Sequence, residues 1–135
     1  MSNIEFDKNK TVKIGSFKDL NCWKESHVLI LEIYKITANF PANEIFALTS
    51  QMRRASISVT SNIAEGFARQ GYKEKLQFYY ISRGSLVELE NQILISKDIG
   101  YINLEKYNSI INQINLAHQL INGIIISTKK YIKNG

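Results

Sequence analysis

Apolar residues recur at helical spacing along nearly all of the chain, in four separable stretches. The first passes through Leu20, Trp23, His27, Ile30, Leu31, Tyr34 and Ala38, and its spacing predicts a helix over about residues 19–39. Before it, Ser16-Phe17-Lys18-Asp19 has the form of a capping box with an acid at its fourth place. Phe40-Pro41 closes it, because a residue before proline is pushed out of the α region. The second stretch, Ile45, Leu48, Met52, Ala55, Val59, Ile63 and Phe67, predicts a helix over about 44–69. Asn43 and Thr49 are its N-cap candidates. Ser56, Ser58, Thr60 and Ser61 are weak helix formers, so packing must hold this segment helical.

Gly66 and Gly71 bracket the next turn. A third helix over about 72–99 follows, through Leu76, Tyr79, Tyr80, Arg83, Leu86, Val87, Glu90, Ile93 and Leu94. Gly100 stands where a glycine ends a helix. Asn103 then caps a fourth helix over about 103–132, with a stripe of Tyr107, Ile110, Ile111, Ile114, Ala117, Ile121, Ile124, Ile125, Thr128 and Ile132. Short links between long helices make neighbours antiparallel. The expected fold is all-α, an up-down-up-down four-helix bundle. One domain spans residues 17–133, and residues 1–16, which lack the pattern, read as a flexible arm carrying Lys8, Lys10 and Lys13.

A hairpin of the second and third helices, turning between Gln70 and Gly71, fixes a register because both helices rise at the same rate per residue. Arg53 and Arg54 fall level with Glu88 and Val87, and Glu90 lies one turn away. Arg54 therefore reads first as an interhelical ion-pair partner, a role that suits a planar guanidinium. Gly84 falls opposite Ile57, beside Ser56 and Ser58, where two backbones can approach closely. Asn62 falls opposite Tyr79. The fourth helix is apolar beyond its core stripe: Leu116, Leu120 and Ile124 widen it and Ile126 lies almost opposite. A bundle helix in a monomer needs one apolar face. The surplus points either to an interface with another subunit or to a wide core face.

Composition narrows the class without naming a function. The 135 residues are 44% hydrophobic and 21% charged, typical of a folded globular domain. The single cysteine, Cys22, excludes an intrachain disulfide. Residues Met1 to Lys13 lack the apolar run of a signal peptide. The most apolar stretch, Ile110 to Ile126, is broken by Asn112, Gln113, Asn115, His118, Gln119 and Asn122, too polar to span a bilayer. A cytoplasmic location is expected. Neither a Walker-type loop nor a dinucleotide fingerprint is present, His27 and His118 stand alone on different helices, and no cofactor or metal is indicated. Glu65 is a conceivable general acid or base, but Arg69 at i+4 offers it an ordinary helical salt bridge. No catalytic site is expected.

Lys+Arg 17 against Asp+Glu 12 give a net charge of +5. Its location matters more than its size. Arg69, Lys73 and Lys75 cluster at the second turn and Lys129, Lys130 and Lys133 near the C-terminal end. In an up-down-up-down bundle these two clusters share one end, as a phosphate-binding patch would require. Lysines ending a helix also simply complement its dipole.

Several segments together carry a family resemblance. Phe17-Lys-Asp-Leu20-Asn-Cys-Trp23, Ile33-Tyr34-Lys-Ile-Thr37, Leu48-Thr-Ser-Gln51-Met-Arg-Arg-Ala55, Ser61-Asn62-Ile-Ala-Glu65-Gly66, Gly84-Ser85-Leu86-Val-Glu88-Leu-Glu90 and Ile99-Gly100-Tyr101 occur in that order. The chain so resembles the bacterial four-helix-bundle family encoded within 23S rRNA intervening sequences, which also includes the accessory variability protein of diversity-generating retroelements. The resemblance implies an antiparallel bundle, a ring-like homopentamer and a basic surface. For the retroelement member it implies RNA or DNA binding and a reverse transcriptase partner; for intervening-sequence members no enzymatic activity is implied. Arg53, Arg54, Asn62, Glu65, Gly66, Gly84, Glu88 and Glu90 lie in the shared motifs, where the register makes them structural candidates. An oligomeric nucleic-acid binder is one expectation, and a protein-interaction scaffold is the other.

Overall fold

A computed structural model describes residues 14–134, the side chain of Asn134 excepted. Residues 1–13 of the expected N-terminal arm lie outside the described residues. The described chain forms α1 (Asn21–Thr37), α2 (Leu48–Ala68), α3 (Tyr72–Asp98) and α4 (Leu104–Asn134). α2 packs most extensively on α3, α3 on α4, and α1 on both α2 and α4. The diagonal pairs make no close backbone approach, so the chain order is also the order around the bundle. This is the up-down four-helix arrangement with no strand among the described residues. None of the described helices is long and apolar enough to cross a membrane.

The core follows the helical repeat. Met52, Ala55, Val59 and Ile63 of α2 are wholly buried, as are Ala117 and Ile121 of α4. Ile110, Ile114 and Ile125 complete the α4 stripe, and Leu29, Ile33, Leu86, Leu89 and Ile93 fill the space between. The α1 phase differs from expectation. Its buried face is Cys22, Ser26, Leu29, Ile33 and Ile36, while His27, Leu31, Tyr34 and Ala38 are exposed. The run Val28-Leu29-Ile30-Leu31 offers two apolar faces one residue apart. Small neighbours at Cys22, Ser26 and Thr37 let α1 approach on the Leu29 side. On α3, Val87 and Glu90 are exposed, and Ser82, Leu89, Gln92 and Ser96 face inward instead.

Serines allow the tight α2–α3 contact. The Ser82 hydroxyl donates to the Val59 carbonyl at 2.7 Å, and Ser58 and Ser85 share a hydrogen bond of 2.8 Å. On α2 itself, Ser56 and Thr60 donate to the Arg53 and Ile57 carbonyls, which satisfies hydroxyls that would otherwise be buried bare.

The helix ends are partly those expected. The Ser16–Asp19 capping box is formed, but it caps a short 3-10 turn, Phe17–Asp19, and α1 starts after Leu20. α2 starts at Leu48 behind Ala47, with no side-chain cap; residues 42–47 form a 3-10 turn and a further turn, and Thr49 is buried in the first helical turn. Gly100, at φ 87°, ends α3 as expected. Tyr101 N–H reaches the Ser96 carbonyl and Gly100 N–H that of Lys97, the paired bonds of a Schellman ending. Asn103 Oδ1 accepts from Lys106 N–H at 2.8 Å, so it is the cap of α4.

Candidate nucleic-acid interface

α2 ends, α3 begins and α4 ends at one pole of the bundle, and α1 begins on that side. Tyr72, the first residue of α3, stacks on Tyr131 of α4 with ring centroids 4.9 Å apart and planes 12° from parallel. This contact brings together the two basic clusters that are far apart in sequence. Arg69, Lys73, Lys129, Lys130 and Lys133 are exposed there, and Lys18 and Lys24 are exposed near the start of α1.

Aromatic rings are interleaved with these cations. The Arg69 guanidinium lies 4.7 Å from the Phe78 ring centre. Lys129 and Arg83 lie 5.6 and 5.2 Å from that of Tyr80. Arg83 also donates to Asn122 Oδ1 at 3.1 Å, which ties α3 to α4. Each cation–π contact at an exposed site is worth roughly 0.5–1 kcal/mol and holds a side chain without neutralising it. The Arg69–Phe78 and Lys129–Tyr80 pairs join different segments, which spacing along one helix does not reveal, whereas Tyr80 and Arg83 stand at i and i+3 on α3. Tyr72 and Tyr131 lay on no predicted apolar stripe, and the aromatic residues beside basic ones at both clusters were the available signal.

Lys75 does not belong to the exposed patch. It is 3% exposed, and its ammonium donates to the Phe67 carbonyl at 2.7 Å and the Gly66 carbonyl at 3.3 Å. The last carbonyls of a helix lack intrahelical donors, and a cation there also complements the dipole. Lys75 is therefore the α2 cap supplied by α3. Burial pushes its pKa below the ordinary lysine value of 10.5. Gly66 beside it is buried because nothing larger fits: a Cβ there would stand 2.7 Å from Tyr79 Cε1 and 3.0 Å from Phe78 Cβ.

Glu65 pairs with Arg69 at 3.3 Å with both side chains exposed, the plain helical pair expected. Arg54 pairs with Glu88 across α2–α3 and donates to Gln51 Oε1 at 3.0 Å, as the register required. Arg53 departs from expectation: it turns to α1, donating to Thr37 Oγ1 at 3.0 Å and lying 4.6 Å from the Tyr34 ring centre. Glu90 is exposed and takes part in none of the ion pairs found among the described residues. Asn62 bonds within α2, to the Ser58 carbonyl and hydroxyl. Gly84 is not a point of close approach. It is exposed, and a Cβ there would meet nothing within 4 Å; the serines beside it carry the tight contact.

The expected oligomer residues divide. Leu120 and Ile124 pack against the chain's own core, so the core face of α4 is wide on that side. Leu116 is 39% and Ile126 57% exposed. Exposed apolar residues also line the outside of the α2–α3 pair at Ile57, Ile81 and Val87.

The profile of the 23S rRNA-intervening sequence protein family matches residues 18–123. A solved structure from Bacteroides thetaiotaomicron, a protein of unknown function described as from the S23 ribosomal protein family, is similar at a TM-score of 0.73. It is 23% identical and the match covers 80% of this chain and 97% of that one. The likeness in structure is one of fold. Among curated proteins none matches the sequence.

Proposed function

We propose that this chain, which belongs to the 23S rRNA-intervening sequence protein family, binds nucleic acid through the pole formed by the α2–α3 turn and the end of α4. The observation that carries this reading is the Tyr72–Tyr131 stack, which joins two short basic clusters into one surface. Exposed lysines and arginines on one pole are what a polyanionic backbone needs, through release of its condensed counterions. The test is retention of labelled RNA and DNA at about 50 mM salt and its loss on raising the salt. Failure to retain either polymer at low salt would falsify the proposal.

We also propose that copies of the chain associate through their outer helix faces. Ile57, Ile81 and Val87 stand 42%, 52% and 54% exposed and Gly84 is open on the same outer side, apolar positions that a subunit contact would cover. A ring would repeat the basic pole around its axis and raise its affinity for a long polymer by multivalency. Light scattering at micromolar concentration checks this, and a monomer mass rejects it. A scaffold without direct nucleic-acid binding would instead recover a protein partner unchanged after nuclease treatment.

A further inference from the structure

Building on the nucleic-acid reading above, we infer that the basic pole selects single-stranded over double-stranded polymer, with an unpaired base stacking on Tyr131. Tyr72 covers one face of the Tyr131 ring, yet Tyr131 remains 49% exposed. The stack therefore presents a preset aromatic surface to solvent and orders Tyr131 before any ligand arrives. Lys129, Lys130 and Lys133 lie within one helical turn of it on α4, and Lys73 follows Tyr72 on α3. Residues one and two apart on a helix do not share a face, so countercharge for phosphates flanking a stacked base comes from the lysines set around the two helix ends at this pole.

Charge and stacking predict opposite preferences. A surface acting through charge alone favours duplex, whose phosphates are denser along the axis. The bases of a duplex are buried in their own stack and cannot reach Tyr131. A flexible single strand can turn a base outward, and an aromatic side chain in a basic groove is the general means of holding it. Lys129 is held over the Tyr80 ring, which orders it on this pole without neutralising it, and Arg69 lies over Phe78 beside its Glu65 partner.

The experiment is fluorescence anisotropy with the full chain at about 100 mM salt. The probes are a labelled, unstructured oligonucleotide of about 20 residues and the same strand annealed to its complement. The single strand is expected to bind about tenfold more tightly. Tyr131→Leu, which keeps apolar bulk on Tyr72, should erase that difference and leave duplex affinity and its salt slope nearly unchanged. Tyr131→Phe should preserve the difference. Duplex binding equal to or tighter than single-strand binding overturns the inference, as does an equal loss on both probes in Tyr131→Leu with unchanged helicity. If that variant does not fold, the comparison of the two probes on the unaltered chain and on Tyr131→Phe still decides. Binding of neither probe would reject the underlying nucleic-acid reading itself, an outcome distinct from loss of selectivity.

Discussion

At the pole where α2 gives way to α3, the exposed lysines lie in solvent or over an aromatic ring, while Arg69 pairs with Glu65 and Lys75 is buried on two carbonyls. At the opposite pole more of the cations are tied to partners. There Arg54 meets Glu88 and Gln51, and Arg53 meets Thr37 and the Tyr34 ring. Lys35 lies 3.7 Å from Glu32, and Lys97 lies 3.5 Å from Asp98 and over Tyr107. Glu44, Glu90 and Glu105 add further negative charge on that half. Arg53 and Arg54 therefore join helices at one pole, while exposed lysines at the other remain available to an anion. Net charge as a sum averages over this difference.

The sharpest way to break the contrast is to make the same change of charge at one pole and then at the other. Lys129→Glu, Lys130→Glu and Lys133→Glu together should weaken nucleic-acid binding by about 100-fold or more, with a much shallower salt dependence. Lys35→Glu, Lys97→Glu and Lys106→Glu make the same change in net charge at the other pole and should cost only a few-fold. Comparable losses in the two triple variants would mean that the sum, and not the place, governs binding.

Lys75 separates structural from exposed charge within the basic pole. Lys75→Met should lower unfolding stability by about 2 kcal/mol, because two carbonyls lose a charged donor, measured by urea titration. The exposed patch is untouched, so the folded variant should still bind nucleic acid. The pH dependence has a definite sign. Between its lowered pKa and 10.5 the unfolded chain binds more protons than the folded one, so Lys75 makes stability rise with pH across that alkaline window. Lys75→Met should lack this rise.

Two glycines make a smaller and opposite pair. Gly66→Ala forces a Cβ against the buried Tyr79 ring and should destabilise by about 1–3 kcal/mol. Gly84→Ala meets no atom and should stabilise the monomer by about 1 kcal/mol through helix propensity. A simultaneous loss of assembly in Gly84→Ala would place that face in a subunit contact. The smallest effect expected is from Glu65→Gln, which removes the acid beside Arg69 and should strengthen nucleic-acid binding by about twofold, by the Coulomb screening of an exposed pair.

Periodicity was sufficient for the four helices and for the α2 and α4 cores, since Met52, Ala55, Val59 and Ile63 repeat without ambiguity. It misphased α1, where four consecutive apolar residues satisfy two faces equally and only the small partners at Ser26 and Thr37 decide. The hairpin register located Arg54 opposite Glu88 but could not see α1, which takes Arg53. The basic pole was legible as charge at matching ends of helices. Its aromatic half was not, because stacking between Tyr72 and Tyr131 is set by how far α4 extends. Lys75 looked like its neighbours Arg69 and Lys73 in sequence; its burial follows from a helix phase one step from solvent and from bare carbonyls within reach.

The cap that Lys75 forms reaches from α3 back over the turn to Gly66 and Phe67. One residue added at positions 69–71 would shift the start of α3 along its axis or rotate it by about 100°, and the ammonium would leave its carbonyls. Insertions and deletions should therefore be poorly tolerated at that turn. Residues 41–47, none of them buried, form the connection where a change of length should be tolerated best.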